Sequence, residues 1–592
     1  MAFNDVLESI GGVGRFQISQ ITFLLISVCL IACHNFLQNF TAAVPDHHCK
    51  PLQPTNQTLP SSYTQSTAEG VLLKAPVPID QNRKPEKCLQ FAMSWWRLLS
   101  PNATVAVGDS ATQVHTELCT SGWVYDVSVF ESTIVTEVAS PLSPFQWNLV
   151  CDLQNLRDVA QSLYMAGVLV GAGVFGVLSD RWVVVVMNVR GWGLRFGRRK
   201  PLIWSYLQIA LAGTITAFLP SFSSYCAFRF LAGMTFSGIM LNSLSLMFIL
   251  VFTASPFLTV SLAFLLVLEW MPNKGRTVAG ALLGYFVTFG QIVLAGVAYG
   301  VRNWRWLQLS VSAPFFIIFV CSWKLPESPR WLLLHNKAQV AVQNLRKVAA
   351  INGKSKEGEK INKEVLHSHM QMEAASLKSR RTVFDLFRSP VLRRVTCCLM
   401  VVWFSSSFSY YGLAMDVQKF GLNIFVVQVL FGAIDLPVVL LSTFVMVFIG
   451  RRLAMAGFLS LAGLLVFVNM FVPDETFRLF YIFLLPAELQ TLRTVQAALG
   501  KGCLASSFIG AYLYSGELYP TEIRQTGMGF VSMQARLGAM VAPLVYVLRD
   551  SFPVLPPIIF GAAALLAGVS ACFLMETRRL PLLETIAEME RR

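Results

Sequence analysis

Glu269-Trp-Met-Pro272-Asn-Lys-Gly-Arg276 returns about 248 residues later as Glu517-Leu-Tyr-Pro520-Thr-Glu-Ile-Arg524, in the same E-x-x-P-x-x-x-R frame. Two further pairs keep that order and nearly that offset. Gly197-Arg198-Arg199 recurs as Gly450-Arg451-Arg452, and Pro326-Glu327-Ser-Pro-Arg330 is answered by Glu576-Thr577-Arg578. Three motifs repeated in one order describe a chain built of two like halves. A glutamate and arginines at neighbouring helix ends can pair across a bundle, latching one conformation and releasing in another. Ordinary positive anchors would account for these charges but not for their spacing.

Composition places these halves in a membrane. Of 592 residues, 54% are hydrophobic and only 14% charged, with a mean hydropathy of +0.56. Soluble domains carry about 25% charged residues, so a soluble enzyme, a disordered scaffold and a single-pass receptor are excluded. Apolar runs fall at about 21–36, 158–178, 201–220, 223–246, 277–298 and 306–325. Six more follow at 395–415, 423–448, 453–472, 494–516, 527–548 and 555–575. Each has the length of one crossing, about 20 residues. The expected fold is an all-α membrane protein of twelve transmembrane helices in two six-helix halves. The formal charge of +14 marks inner loops rather than a nucleic-acid surface. No small-x-small cleavage pattern follows the first run, which therefore reads as a retained helix and not a signal peptide.

Two hydrophilic stretches interrupt the runs. The first, about 39–156, holds the sequons at Asn39, Asn56 and Asn102 and the cysteines Cys49, Cys88, Cys119 and Cys151. Glycan acceptors and an even cysteine count point to an oxidising, extracellular face with two disulfides in any of three pairings. No Cys-x-x-Cys clip supports zinc there. The second stretch, 326–394, carries fourteen basic and six acidic side chains, which places it in the cytoplasm. Residues 1–325 then form the first half, 395–575 the second and 576–592 a tail, with both termini cytoplasmic.

Some patterns carry no chemistry. Gly171-Ala-Gly173-Val-Phe-Gly176 fits G-x-G-x-x-G but lies in an apolar helix with no preceding strand, so it reads as small-residue helix packing. His47-His48 has no third ligand in view, and Cys397-Cys398 reads as a thiol pair rather than an acylation site. No nucleophile stands beside a base, and neither an enzyme, a metal nor a cofactor is expected.

These motifs identify a resemblance to the major facilitator superfamily, and within it to the organic anion/cation transporter family. Asp180-Arg181 followed by Gly197-Arg198-Arg199 is similar to the superfamily loop motif. Pro326-Glu-Ser-Pro-Arg-Trp-Leu and Gly516-Glu-Leu-Tyr-Pro-Thr-Glu-Ile-Arg524 resemble organic-ion signatures. Met1-Ala-Phe-Asn-Asp, Gly11-Gly-Val-Gly-Arg-Phe, Asn39-Phe-Thr-Ala-Ala-Val-Pro45 and Ser409-Tyr-Tyr-Gly-Leu-Ala-Met resemble the organic anion branch. The resemblance implies an alternating-access carrier of small organic anions at the plasma membrane, working by exchange against a counter-anion. The implied gating residues are Asp180, Arg181, Arg198, Arg199, Arg229, Glu269, Arg276, Arg451, Arg452, Glu517 and Arg524.

Residue chemistry bears on the substrate. Arg536 sits inside the eleventh run, where a charge costs several kcal/mol and persists when it faces a partner or a wet cavity. Its fork matches a carboxylate; a purely structural ion pair is the alternative. Cation-carrying relatives have an acid there, so the resemblance makes Arg536 favour anions. Membrane aromatics are ordinarily packing, but the resemblance aligns Tyr285, Tyr410, Tyr411 and Tyr512 with cavity walls, and Asn35 with a cavity position. Phe508 on the tenth run belongs with them as an aromatic wall, while Phe404 and Phe408 share the seventh. Lys501 opens the tenth span in this reading, where it either snorkels or touches substrate.

Departures from the family are specific. Segments at about 138–146, 182–195, 247–267 and 477–490 look inserted. Residues 230–268 carry no charge, and a single helix of that length would span about 58 Å. The run must break, with Ala254-Ser255-Pro256 as the natural place; a returning hairpin or tilted extension keeps the later loops on their expected side. Anion-branch relatives often read Asp-Leu-Pro-Ala-Lys in the eighth span; here it is Asp435-Leu-Pro-Val-Val439, without the lysine. Three readings follow: an organic anion carrier, a cation or zwitterion carrier, or a non-transporting membrane protein disabled by its insertions.

Overall fold

Helices occupy the places of all twelve apolar runs. The computed structural model describes residues 9, 14–50, 78, 86–91, 116–120, 122–137, 147–179, 199–245, 273–327, 329–334, 337–361, 383–420, 422–472, 486–520, 522–549, 552–578, 583 and 585–591. In the first half the helices are α1 (Arg15–Phe36), α2 (Asn155–Ser179), α3 (Arg199–Thr216), α4 (Phe222–Ser245), α5 (Asn273–Gly300) and α6 (Trp304–Ser322). In the second they are α7 (Pro390–Met415), α8 (Ile424–Phe448), α9 (Arg451–Phe471), α10 (Pro486–Leu518), α11 (Arg524–Val545) and α12 (Leu555–Cys572). Seven of them (α1, α6, α7, α8, α9, α11 and α12) are, among the described residues, long and apolar enough to cross a membrane.

Local chemistry sets their ends. Asn303 caps α6 by accepting from the Arg305 amide at 3.0 Å, and Asn423 caps α8 through the Phe425 amide at 3.0 Å, each satisfying an orphan donor. Prolines stand in the first turns of α7 and α12, where their missing N–H costs nothing. Pro437 lies inside α8, two residues after Asp435, and removes one rung of the helix ladder beside that carboxylate.

Apolar burial drives little association inside lipid, so the helices hold together by close packing. A Cβ on Gly171 would stand 2.2 Å from the Met234 carbonyl oxygen; the glycine pattern there is helix packing between α2 and α4, as its sequence context indicates. In the second half α7 packs on α10, α11 and α12, and α9 on α10 and α12. Trp403, Leu459, Leu504, Tyr514, Tyr519 and Ala564 fill that core. In the first half α1 packs on α5 and α3 on α4, around Ile31, Tyr206 and Phe315. The halves meet where α5 packs on α8.

The stretch after α6 is folded. A helix at Ala338–Ile351 buries Leu345 and Val348 with Leu332 and Ile361, and Phe16 packs against this cluster. Asn352 ties it to the start of α1, accepting from the Phe16 amide at 3.0 Å and donating to Gln17 at 2.9 Å. The tail forms a short helix, Ile586–Arg591.

Residues 42–157 form a separate unit. Strand β1 (His47–Cys49) pairs antiparallel with β4 (Trp123–Tyr125), and β2 (Leu89–Phe91) with β3 (Thr116–Leu118). Of the three possible pairings, the fold takes Cys49–Cys119 and Cys88–Cys151. His47 lies close to Cys88 and Cys151, a neighbourhood the sequence conceals. Those sulfurs are bonded to each other, so they offer no thiolate to a metal.

One acceptor site needs correction. Asn39, in the short helix Gln38–Thr41, is 6% exposed and donates to the Ala414 carbonyl at 2.9 Å and to Gln428 at 3.1 Å. A glycan on that nitrogen would replace one of its two donated hydrogens and needs room that a buried side chain lacks, so Asn39 is a buried packing residue in this conformation. Asn56 and Asn102 lie outside the described residues, as do 138–146, 182–195, 247–267 and 477–485. Residues 486–490 of the fourth suspected insertion form the first turn of α10.

The disulfide arrangement has a direct check. Non-reducing digestion and mass mapping of the mature protein should recover Cys49 linked to Cys119 and Cys88 linked to Cys151. A Cys49–Cys88 or Cys119–Cys151 link would contradict the fold of this unit.

Candidate functional site

A cavity of about 240 Å³ lies between the halves, walled by α1, α2, α4 and α5 on one side and α7, α8, α10 and α11 on the other. Asn35, Tyr410, Tyr411, Phe508, Tyr512 and Arg536 line it, so six of the eight expected substrate contacts converge. Met165, Phe236, Thr288, Gln291, Ser407 and Ser532 line it as well. Of these, Gln291 carried a readable signal, an amide within an otherwise apolar run.

The aromatic wall is held from behind. Trp403 donates to Ser515 at 2.9 Å, and its ring meets Tyr512 edge-on at 4.2 Å and Phe508 at 5.6 Å. Tyr410 and Tyr411 stand edge to face at 5.3 Å, and Asn35 donates to the Tyr411 hydroxyl at 3.2 Å. Edge-to-face contacts of this kind fix ring orientation beyond simple burial. Phe404 and Phe408 stack on each other, and Phe408 packs on Phe560; these two belong to the core.

Arg536 reaches the cavity half-buried. Its Nη1 donates to the Ser532 carbonyl at 3.1 Å and the Ser532 hydroxyl at 3.3 Å, one turn back on its own helix. The expected alternative of a structural ion pair finds no carboxylate there among the described residues.

Two expected contacts are corrected. Tyr285 is on α5, but the wall there is made by Gly284, Val287, Thr288 and Gln291. These share the helix face that excludes their neighbour. Lys501 neither snorkels nor opens the span. It lies in the middle of α10, where its ammonium donates to Asp435 at 2.6 Å and to Gln291 at 3.2 Å, with side-chain exposures of 1% for the lysine and 2% for the aspartate. The Tyr410 and Phe431 rings flank it at 5.3 and 5.4 Å. Asp435 therefore has its cation from α10 rather than from position 439 of its own helix.

The repeated motifs also meet. Glu576 accepts from the backbone N–H groups of Arg451 at 3.0 Å and Arg452 at 3.1 Å, placing a carboxylate on the N-terminus of α9, where the helix dipole favours it. Gly450 makes this approach possible. Its φ is +136°, and a Cβ there would stand 2.7 Å from Glu576 Oε2. The first half repeats the device, with Glu327 accepting from the Arg199 amide at 3.3 Å. Arg451 pairs with Glu517 at 3.2 Å, while Arg524 donates to the Tyr519 carbonyl at 2.7 Å. Arg229 is fully buried and donates to Gln38 at 3.0 Å and Gln161 at 3.3 Å, with its guanidinium 4.6 Å from the Tyr164 ring centre. Asp180, Arg181, Arg198 and Glu269 lie outside the described residues; Arg276 is in the first turn of α5, where the backbone alone is described.

Comparison with known proteins agrees with this layout. The model of the sugar (and other) transporter family matches residues 158–589. The chain is 55% identical to mouse solute carrier family 22 member 20 over 100% of this chain and 94% of that protein. It is 45% identical to Xenopus laevis solute carrier family 22 member 6-A, again over 100% and 94%. Among solved structures it resembles the partially occluded inward-open xylose transporter XylE of E. coli. That match has a TM-score of 0.51 and 15% identity, over 72% of this chain and 88% of that one; it shows the major facilitator fold.

The buried pair predicts a stability pattern. Asp435→Asn strands a buried ammonium and should cost about 3–5 kcal/mol, whereas Asp435→Asn with Lys501→Met should recover most of the loss. Thermal unfolding of the purified protein in detergent measures both. Equal losses in the single and double variants would show that the two groups are not coupled.

Proposed function

The chain belongs to solute carrier family 22, in the organic anion transporter branch of the major facilitator superfamily, and on that premise we propose that the cavity around Arg536 carries small organic anions across the plasma membrane by alternating access. The chain is a transporter and not an enzyme. The observation that carries the anion reading is a permanent cation lining the cavity without a carboxylate partner among the described residues. Guanidinium never loses its proton and binds a carboxylate through two parallel hydrogen bonds. Aromatic rings around it suit a flat apolar body. The cation-carrier reading would need an unpaired acid in the cavity; Asp435, the acid on its wall, is closed by Lys501. Exchange against a counter-anion follows from the same site, since a carrier that returns with Arg536 occupied avoids moving a bare charge through the bilayer. Both termini face the cytoplasm in this reading, and the 42–157 unit faces outside.

Arg536→Ala should lower uptake of a labelled aromatic monocarboxylate at least tenfold while surface abundance stays near wild type. Arg536→Lys should retain part of the rate, because a point charge replaces the fork. Normal affinity and rate in the alanine variant would sink the assignment. Uptake of a labelled quaternary ammonium instead of the carboxylate would establish the cation reading, and uptake of neither by surface-expressed protein would establish the non-transporting one.

A further inference from the structure

At the end of the bundle where α2 and α8 begin and α1, α5 and α7 finish, the halves are joined by neutral contacts. Asn39 donates to Ala414 and Gln428, the Phe40 ring stacks on Phe425, and Tyr299 meets Phe425 edge-on. That end also carries a charged group drawn to both halves, Arg549, in the turn Tyr546–Arg549 that follows α11. Its Nη2 donates at 2.6 Å to Asp416, the residue that caps the end of α7. Its guanidinium carbon lies 4.5 Å from the Tyr546 ring centre, and the Tyr546 hydroxyl donates to the Gly412 carbonyl. These contacts tie Arg549 to the end of α7 within its own half. Its Nε is buried and has no hydrogen-bond partner among the described residues. Across the boundary, Asp158 in the first turn of α2 attracts the same guanidinium. A guanidinium carries five donors in one plane, enough to hold a carboxylate on each of two sides.

Resting on the reading of the chain as an alternating-access carrier with the 42–157 unit outside, we propose that Arg549 is the charged latch of the outer gate: it keeps Asp416 throughout the cycle, takes Asp158 when the outer ends close and releases it when they part. The surroundings of the two acids decide which one is released. Asp416 is largely buried, and a buried carboxylate left alone has neither water nor a counter-charge. Asp158 is half-buried at the start of a helix. The helix dipole favours a carboxylate there, and water reaches it once the ends separate. The gate therefore opens without stranding a charge. A merely structural Arg549, pinning the end of α11 to α7, would need Asp416 and Tyr546 but not Asp158. Loss of the latch enlarges the outward-open fraction, and the apparent affinity for external substrate rises with that fraction.

The test places a reporter thiol, Ala539→Cys, in the cavity wall where α11 packs with α2 and α4. A membrane-impermeant methanethiosulfonate reagent reaches it from outside only while the outer ends are apart. Labelling is followed in intact cells expressing the full chain, corrected for surface abundance and for the chain without the reporter. Arg549→Gln and Asp158→Asn should each raise the labelling rate at least fivefold, and Arg549→Lys should raise it less. The double variant should match Arg549→Gln alone, because the second substitution removes a partner already lost. An unchanged rate in Asp158→Asn, or effects that multiply in the double variant, would overturn the latch. Val127→Cys, on the exposed surface of the 42–157 unit, is labelled in the same cells. No labelling there would overturn the outside placement of that unit and the latch with it, whereas a labelled Val127→Cys beside an unresponsive Ala539→Cys would overturn the latch alone. Should Arg549→Gln fail to reach the surface, Asp158→Asn, which leaves the Asp416 pair in place, decides the question.

Discussion

A charge inside a bilayer has to be neutralised, hydrogen-bonded or given a wet cavity, and this requirement arranges the interior of the protein. Lys501 is neutralised by Asp435, Arg451 by Glu517 and Arg549 by Asp416. Arg229 has no acid among the described residues but is bonded to two amide oxygens and lies over a tyrosine ring, a neutral solvation shell built from the Gln38–Thr41 helix and α2. Arg536 has no carboxylate among the described residues; it is bonded to one serine of its own helix and faces the cavity. That Arg536 faces the cavity follows from geometry without reference to any relative.

Much of this was legible in the sequence, for identifiable reasons. The two-half plan was readable because the repeated motifs are short, charged and locally constrained. Gly450 has to be glycine where Glu576 caps α9, which gives the Gly-Arg-Arg signature of the second half a chemical cause. Arg536 stood out because a guanidinium in an apolar run is conspicuous in any register. Local signals also placed a helix at each of the twelve apolar runs.

What escaped were relations between distant positions. Reading Asp435 along its own helix directs attention to Val439, whereas the cation comes from α10, 66 residues away. Tyr285 fails for the opposite reason. Its residue type suits a cavity wall, but which face of α5 turns inward depends on packing against α1 and α8. Asn39 sits in a perfect sequon, and only its bonds to Ala414 and Gln428 reveal it as a link between the halves. Sequons, aromatic stripes and single charges specify what a residue can do; the fold decides which of them has a neighbour.

The distribution of strong and weak contacts bears on the alternating access proposed above. The named ion pairs and carboxylate caps lie within a half: Lys501–Asp435, Arg451–Glu517, Arg549–Asp416, and Glu576 on the start of α9. The named links between halves are mostly neutral. Asn39 donates to α7 and α8, Asn35 to Tyr411, and the Phe425 ring contacts Phe40 and Tyr299. Two interactions mix the categories, Lys501 on Gln291 and the attraction of Arg549 to Asp158 at the start of α2. A neutral hydrogen bond contributes about 1 kcal/mol net, and an edge-on ring pair a similar amount. Rigid-body rocking of one half against the other must break the inter-half set and keep the intra-half set. Several bonds of that size can be exchanged for others at each turn of a cycle. A buried ion pair cannot be opened so cheaply, so the alternating access proposed above requires such pairs to stay within one half.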